Sequence, residues 1–479
     1  VRRLGASGLL LVTLLCWLTM VVSYQNKARC VGPTYDSYGR TEPAYQVRKD
    51  RDVCYSDVQH LWIGRDIDRH VFPYVHGGID ADGSLYGGAV EYPVLTGLLM
   101  WTGALFAHTD GAFLLGTALL LAPFGLLVGY LLAQLAGWRS LLWAVGPPLF
   151  LYAFHNWDLP AVAATVAAVW VMHRPGSASV ARRGCWAGVL LGLGFAFKLY
   201  PAMFLAPLAL YVLTASRPRY DWGGTLRVLG SAAATVIAVN LPFALFGYRG
   251  WLAAFTFQGL RKVDLTTNSI WYWGFRPHSD PENAAFQAMV DWASPAAVLV
   301  SFAVALGIGW WRYRRDGVYP WIPVSAAMLA GFLLLHKVHS PQYALWILPF
   351  FALLRVRWGW IAGYFLADLA IGIGIFRYFY VAFTRGTDYE IYSGLAAQAV
   401  IVGVWGRAAL LVALFGVFLF AEACVPSATR TPAAPGDQLA SAGPAAPAPG
   451  TDRAPLPSGH ARTGSSAAAE SPGGPTRGS

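Results

Sequence analysis

Residues 321–354 read WIPVSAAMLAGFLLLHKVHSPQYALWILPFFALL: two apolar runs, each long enough to enter a bilayer, around one polar island, His336–Tyr343. Ionisable groups at membrane depth are costly, so such an island carries a functional expectation by default. Working outward, the same pattern recurs as SDVQH (56–60), HNWD (155–158), FKLYP (197–201) and TTNSIWYW (266–273). If all of these face one side of a membrane, they describe one site.

The chain has 479 residues, 56% hydrophobic and only 13% charged. Its mean hydropathy is +0.46. Soluble domains carry roughly 25% charged residues. Apolar runs recur near 4–23, 111–136, 157–172, 227–246, 295–310, 320–335, 358–376 and 395–421. A bilayer crossing takes about 20 residues, so the expected fold is an all-α polytopic membrane protein. A transmembrane barrel would alternate with period two instead.

The net charge of +10 comes from basic residues scattered through short loops. That is the pattern of topology signals, so no nucleic-acid partner is expected. The first run follows Arg2 and Arg3, lacks a small-x-small cleavage site before Tyr24 and reads as an uncleaved span. The initial Val fits a GTG start codon and a bacterial gene. From about Pro426 the chain is Ala, Pro, Gly, Ser and Thr without apolar periodicity. The expected domains are therefore a membrane domain, 1–422, and a disordered cytoplasmic tail, 423–479.

Arginine clusters at 174–183, 217–227, 312–315 and 355–357 place those loops inside. HNWD, FKLYP, the loop 247–294 and the 336–343 island then fall outside, together with segment 24–91. One parity problem remains: either the run at 92–107 or the run at 139–154 fails to cross. In an outer segment Cys30 and Cys54 can form a disulfide. Trp62, Ile67, Val71 and Phe72 suggest a short amphipathic helix on the membrane surface.

Asp57 in this segment is either a general base for a sugar hydroxyl or a solvated loop carboxylate. Lys198, set in apolar surroundings, needs an anionic partner, either a phosphate or a carboxylate such as Asp158. His336, Lys337, His339 and Arg261 are further candidates for phosphate oxygens. Asn268 and Trp271 suit sugar binding, although an interfacial aromatic belt reads the same way. His155, Asn156, Asp158, Tyr200, His339, Gln342 and Tyr343 complete the substrate-binding candidates. Asp158 before Pro160 is also a good helix start, and Glu91 either orients substrate or caps a helix. Metal-ligand spacing, a phosphate-binding loop and a dinucleotide fingerprint are all missing from the sequence, so neither metal nor cofactor is expected.

At Asp57, Glu91-Tyr92-Pro93, FKLYP, Asn268-Ser269 and KVHSPQYALWILP (337–349), the chain resembles the GT-C superfamily of membrane glycosyltransferases. More narrowly it resembles glycosyltransferase family 87, polyprenyl-phosphate-mannose-dependent mannosyltransferases of actinobacterial envelopes. The resemblance runs from the first span to about residue 421. It implies a bundle of about 11–13 transmembrane helices, with short interfacial helices on an extracytoplasmic loop. It also implies transfer of a hexose from a polyprenyl-phosphate donor to a glycolipid, glycan or protein acceptor at the outer face, with inversion. Asp57 would be the base, and Lys198, His336 and Lys337 would stabilise the leaving phosphate. The competing expectation is a transporter or flippase of lipid-linked sugars. Such proteins usually set their polar groups at the midplane and often carry internal repeats.

Overall fold

The computed structural model describes residues 4–385, apart from 33, 43, 175, 217 and 277, and residues 394–425. The expected tail beyond Val425, Arg217 and part of the outer loop expected at 377–393 lie outside the described residues. The chain opens with α1 (Ala6–Ala28) and a segment holding β1 (Thr34–Tyr35), β2 (Thr41–Glu42), α2 (Tyr45–Arg51), α3 (Asp57–His60) and the pair β3 (Gly78–Ile79) and β4 (Leu85–Tyr86). Helices α4 (Val94–Ala104), α5 (Asp110–Ala136), α6 (Leu141–Ala144), α7 (Pro147–Tyr152), α8 (Leu159–His173) and α9 (Val180–Phe197) follow. Next come α10 (Leu205–Thr214), α11 (Trp222–Phe246), α12 (Tyr248–Leu260), α13 (Ile270–Trp273) and α14 (Ala284–Asp316). The described chain closes with α15 (Trp321–Leu335), α16 (Ala344–Leu353), α17 (Trp358–Arg385) and α18 (Gly394–Phe420).

Among the described residues, seven helices are long and apolar enough to cross a membrane. This is a multi-pass membrane protein. Helices α8, α15 and α16 are shorter but buried on nearly all sides, which is what an all-round apolar sequence requires. They form the core, and the long helices α11 and α14 lie at the periphery with most of their apolar surface uncovered.

Hydrogen bonds at the helix ends resolve the parity problem. Thr96 Oγ1, near the start of α4, donates 2.6 Å to the Phe197 carbonyl at the end of α9. His70 Nε2 lies 2.9 Å from the carbonyls of Ala104 and Ala107 at the other end of α4. Asp110, which opens α5, accepts from Thr41 and Arg40 of the segment after α1. Both ends of α4 are therefore at one end of the bundle, and its 11 residues span only about 16 Å. The run at 139–154, despite Pro147-Pro148, goes the full distance. Arg139 Nη2 donates to the Phe351 and Leu354 carbonyls at the arginine-rich end, whereas Ser56 Oγ donates 2.7 Å to Phe154 at the opposite end.

Two expectations are corrected. Residues 57–72 do not form a surface helix: α3 stops at His60, and Trp62 and Ile67 are buried, Trp62 against Phe113 of α5. Burial of those side chains in the core wins over helical spacing. The outer loop expected at 247–294 carries helices, and α12 packs on the β3–β4 hairpin region. Gly247 and Gly250 approach the Tyr74 backbone so closely that a Cβ would fall 2.3 and 2.1 Å from its carbonyl oxygen. Residues 423–425, the start of the expected disordered tail, are held in place: Cys424 N donates to the Leu353 carbonyl at the end of α16.

Candidate active site

The polar clusters do converge. At the bundle end opposite the arginine-rich loops, two cavities of about 790 and 800 Å³ share a wall formed by Tyr55, Asp57, His60, Arg261, Ser340 and Gln342. Asp57 stands there because Ser56 and Asp57 anchor α3 to the turn before α8: Asp57 N donates 2.8 Å to the His155 carbonyl. The Cys30–Cys54 disulfide closes the loop just before it. Each carboxylate oxygen has a neutral donor, Tyr55 OH at 2.6 Å on Oδ1 and Asn156 Nδ2 at 2.5 Å on Oδ2. Two such bonds fix the direction of the carboxylate and leave it lone pairs for a further proton.

Asn156, 2% exposed, links Asp57 to Lys198. Its Oδ1 accepts from Lys198 Nζ at 2.8 Å while its Nδ2 also donates 2.8 Å to Tyr92 OH. Lys198 Nζ lies 4.3 Å above the Tyr92 ring and 3.7 Å from Asp158. Of the two partners expected for Lys198, the carboxylate is therefore present, at ion-pair rather than hydrogen-bond distance. Asp158 does not cap α8 with its side chain; it accepts 2.7 Å from Trp346 Nε1 instead. Trp346 in turn stacks between Tyr343 and Tyr200, with ring centroids at 3.8 and 4.1 Å.

The first cavity is lined by Lys198, Asn156, Tyr92, Tyr200, Tyr343, His336 and Lys337, and by the apolar rings of Phe255, Phe302 and Phe332. Glu91 also faces it but is neither a cap nor free, since Arg65 binds it in a fork at 2.7 and 3.2 Å. Lys337 reaches the rim, where Asp291 takes it at 2.7 Å. Burial pushes the His336 imidazole down to about 4, so it is neutral at pH 7 and its Nδ1 is engaged with Val338. Cationic character in this cavity comes from Lys198, Arg261, Lys337 and Arg65.

The second cavity is lined by Lys49, Asp50, His155, Thr266 and Asn268, and by Phe376, Phe379 and Phe383 of α17. Burial, with Lys49 and Arg40 nearby, pushes His60 down to about 4. Three sequence candidates line neither cavity. Asp158 lies beneath Lys198, the buried His339 ring packs on Tyr343, and Trp271 Nε1 donates 2.7 Å to the Leu335 carbonyl. Sequence reasoning also passed over Tyr55, His60 and Lys27. Lys27, 3% exposed at the end of α1, donates 2.7 Å to the Tyr55 carbonyl and lies 3.3 Å from His155 Nδ1. Its signal was a lysine placed as the cation closing the first apolar run. Among the described residues, no group of three or more His, Cys, Asp or Glu side chains could hold a metal ion.

No family model matches the chain. A crystal structure of ArnT from Cupriavidus metallidurans bound to undecaprenyl phosphate aligns with 87% of this chain and 78% of that one, at 15% identity and a TM-score of 0.38. The chain is also 25% identical over 232 residues to GPI mannosyltransferase 1 of Saccharomyces cerevisiae, which is 46% of this chain. It spans 56%, a little over half, of that relative's length.

Proposed function

We propose that this chain is a GT-C-type glycosyltransferase that moves a hexose, mannose by preference, from a polyprenyl-phosphate sugar to an acceptor hydroxyl at the outer face of the membrane. The observation that carries the reading is Asp57, a tethered carboxylate in the wall between two cavities of similar size. A group-transfer enzyme needs its base where two substrates meet. The first cavity, with Lys198 and Arg261 beside apolar rings, suits a phosphate carrying an isoprenoid chain. The second, with polar groups and a wall of phenylalanines, suits a glycan-bearing acceptor.

In the proposed step Asp57 takes the proton of the acceptor hydroxyl as its oxygen attacks the anomeric carbon. The bond from that carbon to the phosphate oxygen breaks, and its electron pair leaves with polyprenyl phosphate. One displacement inverts the centre. The leaving group departs as a phosphate monoester, so the cations have only to hold negative charge. Similarity to a mannosyltransferase supports the choice of hexose. The arginine-rich loops at the opposite end support an outer site. An actinobacterial envelope setting, with a glycolipid, glycan or protein acceptor, follows the family 87 resemblance alone, and the yeast similarity does not select it.

The test supplies membranes containing the protein with radiolabelled polyprenyl-phosphate-mannose and a total membrane lipid extract. Asp57→Asn should lower transfer about 10²–10⁴-fold, with the protein inserted and abundant. Full transfer by that variant would sink Asp57 as base. Label that crosses sealed vesicles without changing its chemical form would point to a transporter instead.

A further inference from the structure

Helices α17 and α18 carry one buried charge each near their middles. Arg407 stands thirteen residues from either end of α18 (394 to 407 and 407 to 420) and is 2% exposed. Asp368 of α17 is 1% exposed and lies in its electrostatic reach, with the hydroxyls of Tyr152 and Tyr364 nearby. Apolar residues would be cheaper at both buried positions, so ionisable groups there point to a task.

Where the guanidinium points identifies that task. Arg407 Nη2 donates 2.7 Å to the backbone carbonyl of Asn268. Asn268 adopts the left-handed conformation, φ +48, that asparagine tolerates in turns. One residue earlier, the Thr267 carbonyl accepts 2.6 Å from His339 N in the 336–343 island. Leu265, Thr266 and Asn268 line the second cavity, and none of them lines the first. Arg407 therefore acts at a distance on one wall of one cavity.

We propose that Arg407 is a positioning residue for the acceptor: it holds the left-handed Asn268 turn that forms part of the second cavity. This rests on the assignment of the second cavity to the acceptor. Arg407→Lys keeps the charge but loses the planar guanidinium whose Nη2 reaches the Asn268 carbonyl. The double variant Arg407→Gln/Asp368→Asn removes both charges together and leaves no unpaired ion to block insertion.

The experiment measures initial transfer rates while the total lipid extract and the labelled polyprenyl-phosphate-mannose are titrated separately, with rates normalised to folded protein. The expected result for both variants is about a tenfold rise in the half-saturating amount of lipid extract. The half-saturating donor concentration should stay within twofold, and the maximal rate within threefold. Loss of one hydrogen bond worth ~1.4 kcal/mol corresponds to that tenfold change. Unchanged half-saturation for both substrates, with a rate that follows only the folded fraction, would assign Arg407 a purely structural role and overturn the proposal. An equal rise for donor and acceptor would overturn it as well. Absence of transfer by the unaltered protein would instead refute the transferase reading itself, so the two failures are distinguishable.

Discussion

Lys198, Asn156 and Asp57 form a relay of contacts in which one amide organises two opposite charges. Asn156 accepts from Lys198 and donates to Asp57, so neither charge needs the other as a direct partner. The arrangement keeps the carboxylate available to a proton and the ammonium available to a phosphate. Lys198→Met should therefore raise the donor KM and lower kcat, with about a 10²-fold loss in kcat/KM for the donor, since charged hydrogen bonds contribute ~1.5–3 kcal/mol each. The acceptor KM should stay put, because Lys198 does not line the second cavity. Steady-state kinetics with both substrates varied would check this, and a change confined to the acceptor would contradict the cavity assignment. Asn156→Ala should harm both substrates, because it releases both ends of the relay.

At the scale of elements, the segment between α1 and α3 is a short tether that sets Asp57. Cys30 and Cys54 close it, Gln59 Nε2 donates 3.1 Å to the Cys30 carbonyl, and Lys27 holds the Tyr55 carbonyl from the end of α1. Replacing both cysteines with alanine should lower the thermal unfolding temperature, since losing a native disulfide typically costs about 2–5 kcal/mol. Transfer should fall more than folded protein does, because the loop that loosens carries the base. A parallel measurement of unfolding and activity, with and without reductant on the unaltered chain, tests that order.

The same elements show what the sequence could and could not reveal. The polar islands were legible because charged and amide groups are conspicuous inside apolar runs. Asp57, Asn156, Lys198 and Asn268 duly sit together at one end of the bundle. The fate of α4 was not legible: its composition matches a span, and only remote contacts from His70 and Thr96 keep both its ends at one level. Trp271 and His339 misled for a related reason. Their residue types suit a sugar site, yet one secures the Leu335 carbonyl and the other fixes the Thr267 turn through its backbone. Asp368 and Arg407 stood inside runs read as plain spans, where an ionisable residue was itself the missed signal.

At the scale of the whole molecule, polarity is divided between the two ends of the bundle. One end holds the cavities and the disulfide-bearing segment. The other holds arginines that cap helix ends: Arg139 on the carbonyls of α16, and Arg312 on the Leu419 carbonyl. A disulfide at the cavity end and basic loops at the far end both favour the proposed outer-face site. Tyr86 in β4 at the cavity end is 42% exposed, and Val318 in the turn between α14 and α15 at the arginine end is 59% exposed, so both are reachable by a thiol reagent. In a Cys185→Ser background, which leaves Cys16 and Cys424 buried, Tyr86→Cys should react with a membrane-impermeant maleimide on intact cells. Val318→Cys should react only after the membrane is opened. The reverse pattern would turn the molecule over and place the proposed transfer on the inner face. Labelling of both in sealed cells would mean that one of the two segments is misplaced. Because the two positions sit on segments joined to different sets of spans, the pair reads the parity of the whole path rather than the fate of a single helix.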